Sequence, residues 1–210
     1  MPTSGDPPAH QPHPESDDAA LVARIRGPGE GAKADPEALE SLLRRHQDLL
    51  FATCQRMVGP RDAADLCQTA LVKIIQGLSG FDGRAQFSTW AVRIAMNACL
   101  SHLRAERLRR HAALPDSEEV LAGAGSNREP ASTSNVQDPV ERRRLLRALD
   151  RLDGEQRAMI VLRDVQGLDY AQIAAVLEVA EGTVKSRLFR AREALRTAMT
   201  AVLKDDGVNS

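Results

Sequence analysis

The chain has 210 residues, of which 42% are apolar and only 3% aromatic, so it can form one or two small domains with aliphatic cores. It lacks both an apolar run of ~18 residues and a basic-then-apolar N-terminus, which predicts a cytoplasmic protein with no membrane segment and no secretory signal. The formal net charge of −1 excludes a protein that binds DNA through an overall positive electrostatic field, so any basic surface that binds DNA must be local.

Helical patterns begin after a tail, residues 1–16, that is rich in Pro, Ser and His; this composition predicts disorder. Residues 17–112 are predicted to form a first helical domain, interrupted by a Gly- and Pro-rich loop. Its helices are predicted at Asp17–Arg26, Pro36–Val58, Arg61–Leu78 and Trp90–Arg110. The three cysteines of the chain also lie within this domain: Cys54, Cys67 and Cys99. Their wide spacing predicts buried free thiols in a reducing compartment rather than a metal or disulfide framework.

A basic helix follows an aromatic loop in this domain. From Arg84 to Arg110, six arginines oppose one glutamate, which gives the segment a charge of +5. Aromatic rings can stack on unpaired bases while cations hold phosphates, so Phe81, Phe87 and Trp90 beside this helix suit single-stranded nucleic acid. The same rings could equally pin the loop to the helical core, and spacing alone does not separate the two interpretations.

An acidic segment separates the first domain from a second one. Between Ala113 and Val140, five carboxylates oppose one arginine, and turn-forming residues replace the helical pattern. Residues 113–137 are therefore predicted to be a flexible linker, residues 138–204 a second helical domain, and residues 205–210 a C-terminal tail.

The second domain ends in a helix-turn-helix pattern. Asp169 can N-cap a short helix, with Gln172 at the capping-box position, and a second helix starts near Gly182. From Glu181 to Arg196, five basic residues oppose two glutamates, and such a helix can enter the major groove of DNA. A solvated basic helix in an ordinary bundle is the alternative interpretation. Glu178 occupies the turn position that often holds glycine, where a left-handed backbone would cost about 1 kcal/mol.

Three stretches resemble the sigma factors of bacterial RNA polymerase, in particular those of the extracytoplasmic-function (ECF) group. DAADLCQ, residues 62–68, resembles the polymerase-binding motif of the group's first conserved domain, region 2. FDGRAQFSTWAVRIAMNACLSHLR, residues 81–104, resembles its promoter-melting segment. LDRLDGEQRAMIVLRDVQGLDYAQIAAVLEVAEGTVKSRLFRARE, residues 149–193, resembles its second conserved domain, region 4.

The resemblance implies an all-α protein with two small helical domains joined by a flexible linker, the second a helix-turn-helix domain. It also implies three partners: core RNA polymerase, promoter DNA and an anti-sigma factor. Contacts with core polymerase are implied for Asp62, Asp65, Leu66 and Gln68. Contacts with the minus-ten element are implied for Phe81, Arg84, Phe87, Trp90, Arg93, Asn97 and Arg104. Contacts with the minus-thirty-five element are implied for Thr183, Lys185, Ser186, Phe189, Arg190 and Arg192. No catalytic residue, metal or cofactor is implied, because the polymerase performs the chemistry.

Three positions near the first motif depart from the family pattern. Thr69 replaces the usual acidic residue, and Leu71 and Ile75 replace common aromatic residues. Together with Val72, the two aliphatic residues are predicted to widen the apolar face of their helix. The departures predict a polymerase contact that is weaker or differently shaped.

Two other functions fit parts of the sequence. A helix-turn-helix regulator that binds duplex DNA without polymerase explains residues 169–196 but assigns no role to residues 62–110. An adaptor that sequesters partners through helical faces is the second alternative. An enzyme is not supported, because Asp62 and Asp65 lack a cleft partner or a cluster of metal ligands. Pull-down of core polymerase separates the regulator from a sigma factor, and run-off transcription separates the adaptor.

Overall fold

The computed structural model describes residues 15–27, 35–112 and 138–208 of the chain. These residues form seven α-helices and no strand, which confirms the all-α prediction. The helices are α1 (Glu15–Arg26), α2 (Pro36–Gly77), α3 (Phe87–Ala112), α4 (Pro139–Asp150), α5 (Gly154–Ile160), α6 (Tyr170–Leu177) and α7 (Glu181–Val208). Most of the predicted tail, the Gly- and Pro-rich loop and the predicted linker lie outside the described residues.

Three helices extend beyond their predicted ends. Helix α1 begins at Glu15, so residues 15 and 16 are helical rather than part of the predicted tail. Helix α3 begins at Phe87, three residues before the predicted start. Helix α7 runs to Val208, through most of the predicted C-terminal tail.

The extension of α7 has an electrostatic explanation. Carboxylates are unfavourable near the negative end of a helix dipole, yet the last turns of α7 carry Asp205 and Asp206. Three arginines of α4 offset this: Arg144 and Arg147 bind Asp206 at 2.9 and 2.5 Å, and Arg151 binds Asp205 at 2.5 Å. The hydrogen bonds from Arg144 and Arg147 hold the pKa of Asp206 below its ordinary value. The pairs fasten the end of α7 to α4.

Helix α2 bends sharply at one glycine. Gly59 adopts φ 79° and ψ 173°, a conformation that favours glycine, and Pro60 has no amide hydrogen to continue the ladder. The predicted break between two helical segments is therefore confirmed. At the other end, Asp35 N-caps α2 by accepting from the amides of Glu37 and Ala38, each at 3.1 Å.

The helices form two units whose cores meet. The first unit comprises α1 to α3, and the second comprises α4 to α7. Their fully buried side chains are mainly aliphatic or methionine and include Leu42, Leu50, Met57, Ile74, Met96, Leu149, Met159, Leu162, Ile173 and Leu188. Helices α5 and α6 pack against α3, and α4 packs against α2. The approach is close, because a Cβ atom at Gly154 of α5 would lie 3.2 Å from Leu103 Cδ1 of α3.

Polar contacts also cross between the two units. The contacts are Arg157 to the carbonyl of Met57, Gln166 Nε2 to Thr53 Oγ1 at 2.8 Å, and Arg93 to Glu178 at 2.5 Å. Arg157 is only 6% exposed, and burial lowers its pKa.

None of the described helices is long and apolar enough to cross a membrane.

Candidate nucleic-acid interface

A cluster of rings holds both ends of the loop between α2 and α3. Phe81 and Phe87 are 6% and 4% exposed, and their ring centroids lie 5.7 Å apart, edge to face. Trp90 lies 5.1 Å from Phe81 and is half-buried, while the His46 ring lies 5.0 Å from Phe87. Stacking on DNA bases would require Phe81 and Phe87 to leave the core. Their burial thus disfavours the predicted direct minus-ten contacts and favours the alternative that these rings anchor the loop.

The tip of the loop is a turn on the surface. Residues 82–86 are all exposed, and the amide of Arg84 donates to Asp82 Oδ1 at 3.0 Å. Gly83 has φ 74°, which few other residues adopt without strain. The anchored rings therefore present a short polar tip to solvent, and Arg84 is the cation at that tip.

One face of α3 carries the remaining predicted minus-ten residues. Arg93, Asn97 and Arg104 lie on the same side of the helix, because positions 4 and 11 residues apart nearly superimpose. Asn97 and Arg104 are exposed, whereas Arg93 binds Glu178 of the second unit. Leu100 shares this face and lies against α5, since a Cβ at Gly154 would be 3.6 Å from Leu100 Cδ2. The second unit thus covers part of this face.

The first helix of the helix-turn-helix, α6, has the predicted capping box. Asp169 accepts from the Gln172 amide at 2.7 Å, and Gln172 Oε1 accepts from the Asp169 amide at 2.9 Å. Glu178 ends the helix with φ 56° and ψ 44°, so the expected left-handed turn is present without glycine. The carboxylate of Glu178 also receives the hydrogen bond from Arg93.

Helix α7 buries one side and exposes the other. Val184 and Leu188 point into the core of the second unit. The outward side carries Lys185, Ser186, Phe189 and Arg190, which are all exposed. Phe189 is 65% exposed, so its ring is available for contact with a partner. Thr183 is half-buried, and its carbonyl accepts from the Ser186 hydroxyl at 3.0 Å.

Two further arginines of α7 bind carboxylates of their own unit. Arg192 makes two hydrogen bonds to Asp164, at 2.5 and 3.2 Å, and these raise the pKa of Arg192. Arg187 lies 3.2 Å from Glu155. The structure thus brings five of the six predicted minus-thirty-five residues together near the start of α7, while Arg192 is turned toward Asp164.

The second segment of α2 presents an exposed stripe that combines polar and apolar side chains. Asp65, Gln68, Val72 and Ile75 follow one another at helical spacing along a single face. Val72 is 51% exposed and Ile75 is 44% exposed, so this part of the predicted apolar face is open to solvent rather than packed against the core. The sequence did contain a signal, because the apolar residues between Leu66 and Leu78 occupy more of the helix circumference than one buried face.

The other two predicted polymerase residues flank this stripe. Asp62 is half-buried and lies 3.5 Å from His102 Nε2 of α3. Leu66 is half-buried and packs against the core. Both positions are tied to the body of the first unit rather than fully exposed.

The three cysteines meet inside the first unit. Cys54 lies near the thiols of Cys67 and Cys99, and all three are buried and unbridged, as predicted. The neighbouring Cys54 thiol and burial together raise the pKa of Cys67 above its ordinary value. Within the described ranges, no group of three His, Cys, Asp or Glu residues has an arrangement that could hold a metal ion.

Comparison with known proteins identifies two family models in the order expected. Residues 42–109 match Sigma-70 region 2, and residues 142–195 match Sigma-70, region 4. The ECF RNA polymerase sigma-E factor of Escherichia coli K12 is 32% identical over 190 residues, covering 89% of this chain and 96% of the relative. The sigma-E factor of Haemophilus influenzae is 29% identical over 194 residues, covering 89% and 97%.

Two solved structures have a similar fold. One is the sigma factor RpoE in complex with the anti-sigma factor NepR from Bartonella quintana, with a TM-score of 0.59, 24% identity, and coverage of 78% of this chain and 98% of that chain. The other is CnrH in complex with the cytosolic domain of CnrY, with a TM-score of 0.58, 26% identity, and coverage of 88% and 98%.

Proposed function

This chain belongs to the ECF family of RNA polymerase sigma factors, which direct promoter-specific transcription initiation, and we propose a division of that task among α2, the loop before α3, and α7. The observation that carries the proposal is the order of the two sigma regions, 42–109 and 142–195, on two helical units that each present an exposed candidate surface. Core RNA polymerase and promoter DNA are the partners.

The contact with core polymerase is proposed for the stripe on α2. Asp65 and Gln68 would supply polar contacts, and Val72 and Ile75 would supply apolar area that no other described residue covers. Apolar residues at the centre of a polar rim are typical of protein interfaces. Asp62 and Leu66 would support the stripe from its edge, since both are half-buried.

Minus-ten recognition is proposed for the loop tip and the adjoining face of α3. A base flipped from the duplex costs a few kcal/mol of stacking, which a protein pocket offsets. The DNA strand that carries the flipped base would be held by residues of the tip and of α3. These are Arg84 at the tip, Trp90 beside it, and Arg93, Asn97 and Arg104 on α3. Phe81 and Phe87 would act by fixing the position of the tip, because both rings are buried.

Minus-thirty-five recognition is proposed for the outward side of α7. Lys185, Ser186, Phe189 and Arg190 are exposed there, and the half-buried Thr183 lies at its edge. Arg190 can bind a guanine edge, and Phe189 can contact a thymine methyl group. Arg192 would act through Asp164 or through phosphate, since its guanidinium is already bound.

Regulation by an anti-sigma factor is proposed because two structural neighbours are complexes of a sigma factor with an anti-sigma factor. We further propose that this chain acts in the cytoplasm, where promoter DNA lies, and performs no catalysis of its own. The polymerase would supply all of the chemistry.

The deciding experiment is run-off transcription with purified core polymerase and a randomised promoter library. Transcripts from a subset of promoters, dependent on this chain, are the expected result. No transcription, combined with tight sequence-specific binding of duplex DNA by the isolated chain, would instead identify a regulator that acts without polymerase.

Substitution of Arg190 by alanine should weaken promoter use at particular bases of the minus-thirty-five element. A bidentate contact between arginine and guanine is worth ~1–3 kcal/mol of discrimination. Transcription from single-base promoter variants measures the effect, and Arg196→Ala is the matched control because Arg196 lies on the same helix and is bound to Glu193 at 2.6 Å. An equal loss across all sequences would mean that Arg190 holds phosphate only.

The isolated chain should bind duplex promoter DNA at least about tenfold more weakly than the holoenzyme. In the free protein the two units pack together, a closed state, and only the fraction of molecules in which they have separated is competent to bind. The second unit covers part of the α3 face, Arg93 is bound to Glu178, and the net charge is −1. Gel shift at physiological salt compares the two. Equal affinity would contradict closure of the free protein.

A further inference from the structure

Helix α1 contacts the backbone at the start of the loop. Arg26 Nη2 donates to the carbonyl of Leu78 at 3.1 Å and to that of Ser79 at 3.3 Å. These carbonyls belong to the short 3-10 turn, Leu78–Gly80, that follows α2 at the negative end of its dipole, and the Leu78 carbonyl also accepts from the Phe81 amide at 3.3 Å. A cation suits such a position, so Arg26 fixes the direction in which the chain leaves α2 toward Phe81.

The same helix acts on the far end of the loop through a histidine. Asp18 Oδ2 lies 2.8 Å from His46 Nε2, and Asp18 Oδ1 accepts from Arg45 at 2.7 Å. A carboxylate only accepts, so the Nε2 atom of His46 carries the hydrogen. The buried His46 ring in turn packs against Phe87, the residue at which the loop ends and α3 begins.

The exposed tip depends on these two ends. Residues 82–86 are exposed; Asp82 and Arg84 bind each other within the turn, and the Gln86 carbonyl accepts from the Trp90 amide at 3.1 Å where α3 begins. The position of the tip is therefore set by the residues that flank it, Phe81 on one side and Phe87 on the other.

We propose that α1 is a brace for the minus-ten loop, with Arg26 and Asp18 as positioning residues for capture of the flipped base. The inference rests on the proposed function of the loop. Neither residue reaches the tip; Arg26 acts through the Leu78 and Ser79 carbonyls, and Asp18 acts through His46 and Phe87. This gives the helix before the Gly- and Pro-rich loop a role in promoter opening.

The chain contains a matched control on the same helix. Arg24 lies two residues before Arg26, but it binds Asp35 at the start of α2, at 2.7 Å. Arg24→Ala therefore removes an arginine and one attachment of α1 without touching the loop. Arg26→Lys keeps a charged donor at the end of α2 and serves as the conservative variant.

The experiment uses holoenzyme assembled from core polymerase and the full-length variants. The probe is a duplex promoter selected by wild-type holoenzyme from a randomised library, with 2-aminopurine placed at each minus-ten position in turn. Arg26→Ala should lower the rate of base unstacking about tenfold, as expected for loss of a charge-assisted hydrogen bond. Affinity for core polymerase and the thermal unfolding midpoint should stay near the wild-type values, Arg26→Lys should recover much of the rate, and Arg24→Ala should match the wild type.

Each other outcome has a defined meaning. If Arg26→Ala opens the promoter as fast as Arg24→Ala, the brace is wrong. If Arg26→Ala unfolds the first unit, the same measurement is made with Asp18→Asn. A rate of base unstacking equal to that of the wild type in that variant overturns the proposal. A wild-type holoenzyme that opens no selected promoter overturns the proposed function and this inference together, whereas normal wild-type opening with unchanged variants overturns only the inference.

Discussion

Replacing Arg157 with alanine should lower the free energy of unfolding by about 3 kcal/mol, the usual cost of leaving buried polar partners unpaired. The guanidinium donates to the carbonyl of Met57 in the first unit and to that of Leu152 at 3.4 Å in the second. Burial lowers the pKa of Arg157, whereas the negative charge of Asp150, which lies 3.2 Å away, raises it. Because the Arg157 side chain is only 6% exposed, its truncation would leave these carbonyls in a buried cavity without a hydrogen-bond donor.

The loss should also separate the two units. Met57 lies just before the bend at Gly59, so its carbonyl is at the negative end of a helical segment, where a cation is favourable. Urea denaturation followed by circular dichroism gives the stability, and small-angle scattering gives the radius of gyration, which should increase. The control is Arg151→Ala, whose exposed pair with Asp205 should contribute no more than about 1 kcal/mol. Equal losses for the two variants would show that Arg157 does not hold the interface.

Replacing Val72 with glutamate should reduce affinity for core polymerase by about a hundredfold, as for a residue at the centre of an interface. Val72 is 51% exposed in the free chain, so the substitution should leave the stability of the first unit nearly unchanged. In the complex, however, the carboxylate would lose water without gaining a partner. Fluorescence anisotropy with labelled core polymerase measures the affinity.

The matched control for this substitution is Leu203→Glu. Leu203 is 47% exposed and lies on α7, far along the chain from the stripe on α2. It should retain full polymerase affinity. Leu66→Ser is less informative, because Leu66 packs against the core and its loss would perturb folding as well. Unchanged affinity of the Val72 variant would place the polymerase contact elsewhere.

Local chemistry accounts for the parts of the fold that the sequence predicts. Asp169 begins its helix as expected, because an N-cap depends only on a side chain and the next three amides. The break at Gly59 and the left-handed Glu178 are local in the same sense. Helical periodicity likewise predicts the buried positions of α7, such as Val184 and Leu188.

Contacts between distant segments explain what the sequence does not predict. The burial of Phe87 depends on His46 of α2, and that of Arg157 depends on the Met57 carbonyl in the other unit. The sequence places Val72 on an apolar helix face, yet its side chain is 51% exposed. The extension of α7 to Val208 depends on arginines of α4, more than fifty residues earlier. None of these partners is visible in a local pattern.

The buried thiols have a practical consequence for measuring how far the two units separate. Cys54, Cys67 and Cys99 are each less than 5% exposed, and the raised pKa of Cys67 keeps it in the unreactive thiol form. A maleimide dye should therefore attach selectively to a cysteine introduced at an exposed position, without removal of the native ones. Exposed Ala105 on α3 and Thr200 on α7 would carry a donor and an acceptor dye. Energy transfer between them would then report opening of the native chain on core polymerase.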